Sequence, residues 1–126
     1  MEDMILQGSS SAPYVELKTN GVFLMRGRIL TDNAVKTFEP LIAWIDKFKG
    51  QTVEFTIDLD YINTSASMQL FSVLRMLDTN PEITKIRVKW FYEHDDEDHL
   101  ETGEFFEDKL SRSEFEYIVV KDKMVA

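Results

Sequence analysis

A strict alternation of apolar and polar residues in the middle of the chain is the strongest constraint on its fold. Along residues 52–59, one face of a predicted strand carries Val53, Phe55, Ile57 and Leu59, and the other carries Thr52, Glu54, Thr56 and Asp58. A later stretch repeats the pattern, with Ile86, Val88, Trp90 and Tyr92 on one face and Arg87 and Lys89 on the other. A central strand that is covered by helices on both faces is apolar on both faces. The alternation therefore predicts helices on one side of a sheet.

The other elements follow from turn signals and helical spacing. The predicted strands are residues 14–17, 22–30, 52–59, 83–92 and 115–121, and Asn20-Gly21 joins the first two as a hairpin. The first helix opens at Asp32 or Asn33 and ends by Gly50, and Pro40 inside this pattern either kinks the helix or marks a start nearby. The second helix covers residues 65–78, and the third follows an acidic segment and ends near Ser111. The order is β-β-α-β-α-β-α-β, an α/β fold with one mixed sheet and helices mainly on one face.

The length of 126 residues predicts one domain over residues 1–126, with residues 1–13 as a loop-like lead-in. The absence of cysteine excludes disulfides, thiolate metal sites and a cysteine nucleophile. No apolar run approaches the ~20 residues that a membrane span needs, and the first residues lack the pattern of a secretion signal. We therefore expect a cytoplasmic protein without stable membrane insertion.

The net charge of −9 comes from one segment. Residues 93–108 hold nine acids and no Lys or Arg, and the remaining 14 acids equal the 14 Lys and Arg in number. Nucleic-acid binding requires a basic patch to meet the phosphates, so this charge distribution argues against that class of function.

The acidic segment admits three interpretations. The side chains that could ligate a divalent cation are His94, Asp95, Asp96, Asp98 and His99. Their spacing does not match a calcium loop, which needs oxygen ligands at alternate positions around a central glycine. The acids also fit the first turn of the third helix, where they are favourable against its dipole. They could equally form a docking surface for a basic patch on a partner.

The segment "DYINTSAS", residues 60–67, joins the central strand to the second helix. Asn63, Thr64 or Ser65 could cap that helix, and one cap leaves hydroxyls to spare. A hydroxyl at a helix N-terminus could also serve as a phosphoacceptor, because free amides and the helix dipole favour a phosphate there. Helical spacing places Thr64, Met68, Ser72 and Arg75 on one outer stripe, and it turns Phe71, Leu74 and Leu77 to the sheet.

Five segments in order resemble the SiaC-type regulatory phosphoproteins, whose fold is similar to the STAS domains of anti-sigma factor antagonists. They are "SSSAPYVEL", "GRILTDNA", "PLIAWIDKF", "DYINTSASMQL" and "WFYEHDDEDHLETGEFFED", and together they cover nearly the whole chain. The chain departs from the family's usual residues at three places. Ala66 stands where a Ser is usual, Met68 where a Lys is usual, and Thr31-Asp32 where Pro-Glu is usual.

The resemblance implies a bacterial switch protein and not an enzyme, with no cofactor. It implies phosphorylation of Thr64, with Ser65 as the second candidate, by a cognate protein kinase, and removal of the phosphate by a PP2C-type phosphatase. It also implies that the unphosphorylated form binds and activates a diguanylate cyclase, which raises cyclic di-GMP and promotes biofilm formation. The expected partner-binding residues lie at the start of the second helix: Asn63, Thr64, Ser65, Ser67, Met68, Ser72 and Arg75.

Two other functions compete with this interpretation. An anti-sigma factor antagonist would share the phosphorylation switch and bind a regulator of a sigma factor. A metal-dependent enzyme would use the acidic cluster, with His94, Asp96, Asp98 and His99 as candidate ligands, although we expect no metal.

Overall fold

The computed structural model describes residues 1–120, which form a six-stranded mixed sheet and three helices. The strands are β1 (Met4–Leu6), β2 (Tyr14–Leu17), β3 (Val22–Ile29), β4 (Thr52–Ile62), β5 (Lys85–Glu93) and β6 (Ser113–Val120). The helices are α1 (Ala34–Lys47), α2 (Thr64–Thr79) and α3 (Glu97–Lys109). The strands lie in the sheet in chain order. The pairs β1–β2 and β2–β3 are antiparallel, and the pairs from β3 to β6 are parallel.

The predicted α/β layering is confirmed. The alternate β4 residues Val53, Phe55, Ile57 and Leu59 are all at most 5% exposed, and the residues between them are partly exposed. Crossovers between parallel strands are right-handed. Three successive crossovers in chain order therefore place α1, α2 and α3 on the same face, where their buried residues complete the core. On the other face, the Lys89 ammonium lies 3.1 Å from a carboxylate oxygen of Glu54.

The prediction of a loop-like lead-in over residues 1–13 is wrong for its first part. Residues Met4–Leu6 form β1, which pairs antiparallel with β2 in the register Met4↔Leu17. The indole Nε1 of Trp44 on α1 donates a hydrogen bond of 2.8 Å to the Glu2 carbonyl and holds this segment against the helix. Three residues are too few to show a strand period, so only the pairing with β2 reveals the strand.

Several helix and strand boundaries also differ from the predicted ones. Helix α1 starts after the N-cap Asn33 as predicted, and it continues past Pro40 to Lys47. Strand β4 runs three residues further than predicted, to Ile62, and α2 starts at Thr64 and not at Ser65. The last strand starts at Ser113, and the predicted final residue, Lys121, lies outside the described residues.

A buried polar junction joins the end of α2 to the start of β6. Asp78, which is 5% exposed, accepts hydrogen bonds from the backbone amides of Ser111 and Arg112 at 3.0 and 2.9 Å, and from the Ser113 hydroxyl at 2.8 Å. The Arg112 guanidinium in turn donates to the carbonyls of Asp78, Asn80 and Ile83, each at 2.8 Å. Burial raises the pKa of Asp78, but the hydrogen bonds from Ser111, Arg112 and Ser113 outweigh this effect and hold the pKa below its ordinary value.

The replacement Asp78→Asn should lower the free energy of unfolding at pH 7 by about 2 kcal/mol, because it weakens several charge-assisted hydrogen bonds in a buried site. Urea denaturation measures this loss, and Asp108→Asn, at an exposed position of α3, is the control. The native pKa is the lower one, so the carboxylate stabilises the fold above its unfolded pKa, and the contribution disappears as the pH falls through the native pKa. Equal stability of the two variants at pH 7 would contradict the assignment.

Candidate functional site

The cap of α2 is Asn63. Its backbone is extended, with φ −77° and ψ 167°, and its side-chain Oδ1 accepts a hydrogen bond of 3.0 Å from the Ala66 amide. Of the three predicted candidates, Asn63 therefore fills the capping role, and Thr64 and Ser65 occupy the first two helical positions. The Ser65 hydroxyl reaches Asn63 Oδ1 only at 3.5 Å.

Asn63 also connects the two N-terminal ends of α1 and α2. Its Nδ2 donates to the Thr31 carbonyl at 2.7 Å, and its backbone amide donates to the Ile29 carbonyl at 3.1 Å. The Thr31 hydroxyl accepts from the Asn33 amide and from the Thr37 hydroxyl, each at 3.0 Å. The segments "GRILTDNA" and "DYINTSAS", which are distant in the sequence, thus form one connected corner of the fold.

Thr64 lies exposed at this corner. Its hydroxyl has no hydrogen-bond partner within residues 1–120, since Asn63 performs the capping. The side chain is therefore accessible and is not required by the structure around it.

Thr64 stands at the edge of a groove between the start of α2 and α3, which we call the α2–α3 groove. The groove has a volume of about 970 Å³. Residues from the end of β4, from α2 and from the N-terminal part of α3 line it: Tyr61, Ile62, Thr64, Ser67, Met68, Gln69, Phe71, Ser72, Asp96, Asp98, His99, Glu101, Thr102, Phe105 and Phe106.

Apolar side chains dominate the α2–α3 groove. Met68, Phe105 and Tyr61 remain 67%, 59% and 48% exposed, although each is large and hydrophobic. Beneath them, the rings of Phe71 and Phe106 pack with their centroids 5.3 Å apart. Exposed apolar side chains that gather around a concave surface are typical of a protein–protein contact.

The charged residues of the groove all carry the same sign. Asp96, Asp98 and Glu101 lie along its α3 side, and no Lys or Arg is among the described residues that line it. The groove is thus apolar in its floor and acidic on one side.

His99 lies in the floor of the groove and is 7% exposed. Its ring stacks on Trp90 of β5, with centroids 4.8 Å apart, and the Trp90 indole donates a hydrogen bond of 3.0 Å to the His99 carbonyl. Gly103 makes this close approach possible, because a Cβ at that position would lie 2.8 Å from the Trp90 indole nitrogen. Burial lowers the pKa of His99, although Asp96 and Asp58 partly oppose the shift.

The structure brings only some of the expected partner-binding residues into the groove. Thr64, Ser67, Met68 and Ser72 line it. Asn63 uses its side chain within the fold, Ser65 lies outside the lining, and Arg75 borders a separate depression. Of the three residues expected to face the sheet, Leu74 and Leu77 are buried. Phe71 is half-buried: it packs against the core, and its ring also contacts Phe106 of α3.

The candidate metal ligands do not converge. Within residues 1–120, no three His, Asp or Glu side chains are placed to hold a metal ion together. His94 and Asp98 are exposed, whereas Asp96 caps α3 through the His99 amide at 3.0 Å. The interpretation of the acids as the first turn of α3 is therefore confirmed for Glu97 and Asp98.

On the α3 side, the groove contains Asp96, Asp98 and His99 from the acidic segment, which the sequence offered as a docking surface, but also Thr102 and Phe105, which the sequence did not predict. The sequence held one indication of this surface. The buried residues of α3 are His99, Gly103 and Phe106, so the large apolar Phe105 lies on the face of the helix that is exposed to solvent.

The model of the SiaC family of regulatory phosphoproteins matches residues 6–120 of this chain. The chain belongs to that family. The predicted resemblance is therefore confirmed, and the family assignment favours a regulatory phosphoprotein over an anti-sigma factor antagonist. Comparison with curated proteins gives no significant match.

Solved structures of SiaC from Pseudomonas aeruginosa share the fold. SiaC in its crystal structure with the diguanylate cyclase SiaD, of which it is the activator, is 24% identical, with a TM-score of 0.82 over 94% of this chain and 100% of SiaC. The apo-SiaC structure is 26% identical, with a TM-score of 0.76 over 94% and 99% of the two chains. A third SiaC structure is 22% identical, with a TM-score of 0.76 over 97% and 100%.

None of the helices within residues 1–120 combines the length and the apolar character needed to span a bilayer.

His99 should titrate below the ordinary histidine pKa of 6.5, because its burial disfavours the imidazolium. An NMR titration of the ring protons measures the midpoint directly. The native pKa is lower than the unfolded pKa, so the unfolded chain binds the proton more readily, and stability should fall as the pH drops below 6.5 towards the native pKa. A midpoint above 6.5 would contradict the buried neutral ring.

Proposed function

We propose that this protein is a phosphorylation-switched regulator whose unphosphorylated form docks through the α2–α3 groove onto a diguanylate cyclase and activates it. The observation that carries the proposal is the exposed Thr64 hydroxyl, without a partner in residues 1–120, at the edge of an apolar groove in a SiaC family member. The cyclase is inferred from SiaC of P. aeruginosa, which is the activator of the diguanylate cyclase SiaD. Activation would raise cyclic di-GMP and promote biofilm formation.

Thr64 is the proposed phosphoacceptor. It occupies the first helical position of α2. The Asn63 side chain accepts its hydrogen bond from the Ala66 amide, so it does not use the amides of Thr64 and Ser65. A phosphate at this position would meet those amides and the positive end of the helix dipole. Ser65 is the second candidate, since its hydroxyl is exposed and makes only a long contact with Asn63.

The phosphate would block docking without refolding the protein. It would add ~1.5–2 negative charges at the edge of a groove whose charged lining residues, Asp96, Asp98 and Glu101, are already acidic. Met68, one turn along α2, offers no cation there, and it is 67% exposed, so a partner that covers it would also bury the phosphate. Removing a charged group from water without a matched partner is costly.

The remaining roles belong to the same proposal. A cognate protein kinase would add the phosphate and a PP2C-type phosphatase would remove it. The protein itself would act by binding, in the cytoplasm, and would not be an enzyme.

The variant Thr64→Asp should bind the cognate diguanylate cyclase at least about tenfold more weakly than Thr64→Ala, a difference of about 1.4 kcal/mol. Calorimetry measures the affinity, and cyclic di-GMP synthesis measures the activation. Thr19→Asp is the matched control, because it adds the same charge to an exposed threonine in the turn before β3, at the opposite end of the sheet. Equal affinities of Thr64→Asp and Thr64→Ala would refute the switch.

Phosphopeptide analysis of protein from its native host should locate the phosphate on Thr64. The replacement Thr64→Ala should abolish the modification, whereas Ser65→Ala should retain it, because Ser65 contributes only the 3.5 Å contact to Asn63. Loss of the modification in Ser65→Ala, with retention in Thr64→Ala, would instead identify Ser65 as the phosphoacceptor.

A further inference from the structure

The sulfur chemistry of this chain belongs to methionine alone, because the chain has no cysteine. Five of its six methionines lie within residues 1–120. Met25 is fully buried, and Met4 and Met76 are half-buried against the core. Met68 and Met1 are 67% and 61% exposed. In the described part of the chain, an oxidant in solution therefore meets the thioethers of Met68 and Met1 first.

Met68 is the methionine that oxidation would change at the docking surface. Among the described residues that line the α2–α3 groove it is the only methionine, and Met1 does not belong to that lining. Thr64 precedes Met68 on α2 by one helical turn, and Phe105 lines the groove from α3. The most exposed thioether thus lies next to the proposed phosphoacceptor and among apolar side chains.

The oxidation state of the sulfur decides which surface Met68 offers. The thioether is apolar, unbranched and polarisable, and it adapts well to a contacting partner. The sulfoxide is polar and chiral, and it disrupts contacts that methionine makes. The hydroxyls of Ser72 and Thr102, which also line the groove, already donate to the carbonyls of Met68 and Asp98 at 3.1 and 2.9 Å. A partner that covers the sulfoxide would remove its hydration, and neither hydroxyl is free to replace it.

We propose that Met68 is an oxidation-sensitive modification site: hydrogen peroxide converts its thioether to the sulfoxide, and the oxidised protein docks more weakly through the α2–α3 groove. This deepens the proposed function and rests on it in taking the diguanylate cyclase as the docked partner. The groove then receives two inputs on adjacent turns of α2, a phosphate at Thr64 and an oxygen atom at Met68.

The oxidation is an oxygen transfer that removes a pair of electrons from sulfur. A lone pair of the Met68 sulfur attacks one oxygen of hydrogen peroxide, the O–O bond breaks and the S–O bond forms. The departing hydroxide takes up the proton of the transferred oxygen and leaves as water. Methionine sulfoxide reductases, one for each sulfoxide epimer, return the thioether with electrons from thiols. The modification is therefore reversible.

The first experiment measures where oxygen is added. The full-length protein is treated with limiting hydrogen peroxide, and peptide mass spectrometry follows each methionine over time. We expect Met68 and Met1 to gain oxygen before Met4, Met25 and Met76, because their sulfurs are accessible. Oxidation of Met68 no faster than that of the buried Met25 would overturn the inference.

The second experiment measures docking. The treated protein is freed of peroxide with catalase and titrated by calorimetry against untreated cognate cyclase. Its affinity should be about tenfold or more below that of the untreated protein, and reductases for both epimers with dithiothreitol should restore it. Equal affinity before and after oxidation would overturn the inference and leave the proposed function intact. Failure of the untreated protein to bind the cyclase would refute the proposed function, and the docking part of the inference with it.

Two leucine variants of α2 assign the effect to one sulfur. Met68→Leu keeps an apolar side chain of similar volume, so its affinity for the cyclase, whatever its starting value, should be the same before and after peroxide. Met76→Leu is the matched control, because Met76 lies on the same helix but outside the groove lining, and this variant should lose affinity on oxidation as the wild type does. A loss on oxidation in both variants would assign the effect to another methionine and overturn the inference.

Discussion

The helices of this protein can bury their apolar stripes on only one face of the sheet. The β4 side chains Phe55 and Ile57 are fully buried, and the residues between them remain in contact with water. Because the parallel crossovers are right-handed and the strands follow chain order, consecutive helices lie side by side on that face. The groove between α2 and α3 follows from this arrangement, since two neighbouring helices on a twisted sheet leave a furrow at their ends.

Trp90 fixes the position of α3 on the sheet. This fully buried β5 residue packs on His99, on Phe106 and against the space left by Gly103, so one side chain seats α3 on the sheet. The same contact holds the His99 ring in the floor of the groove, where its Nε2 has no partner within residues 1–120.

The two sides of the α2–α3 groove differ in character. On the α2 side, Asn63 takes over the capping and leaves the Thr64 hydroxyl exposed, so a phosphate there would need no rearrangement of the helix. On the α3 side, Asp96, Asp98 and Glu101 give the groove its negative charge. The proposed phosphate would weaken docking because it would lose its hydration next to the exposed apolar side chains of Met68 and Tyr61. The methionine at position 68 fits the proposed switch, because it places no cation beside the proposed phosphate.

Local signals in the sequence determined much of this protein. The period of two in residues 52–59 predicted one-sided layering, Asp32-Asn33 predicted the start of α1, and five ordered segments identified the SiaC family. Only the tertiary structure decided three other features. It formed β1 by pairing Met4–Leu6 with β2, brought the ring of Phe71 against Phe106, and stacked the His99 ring on Trp90. The physical reason is the range of the interactions: caps and periodicity act within a few residues, whereas strand pairing, helix packing and burial depend on residues that meet only when the chain has folded.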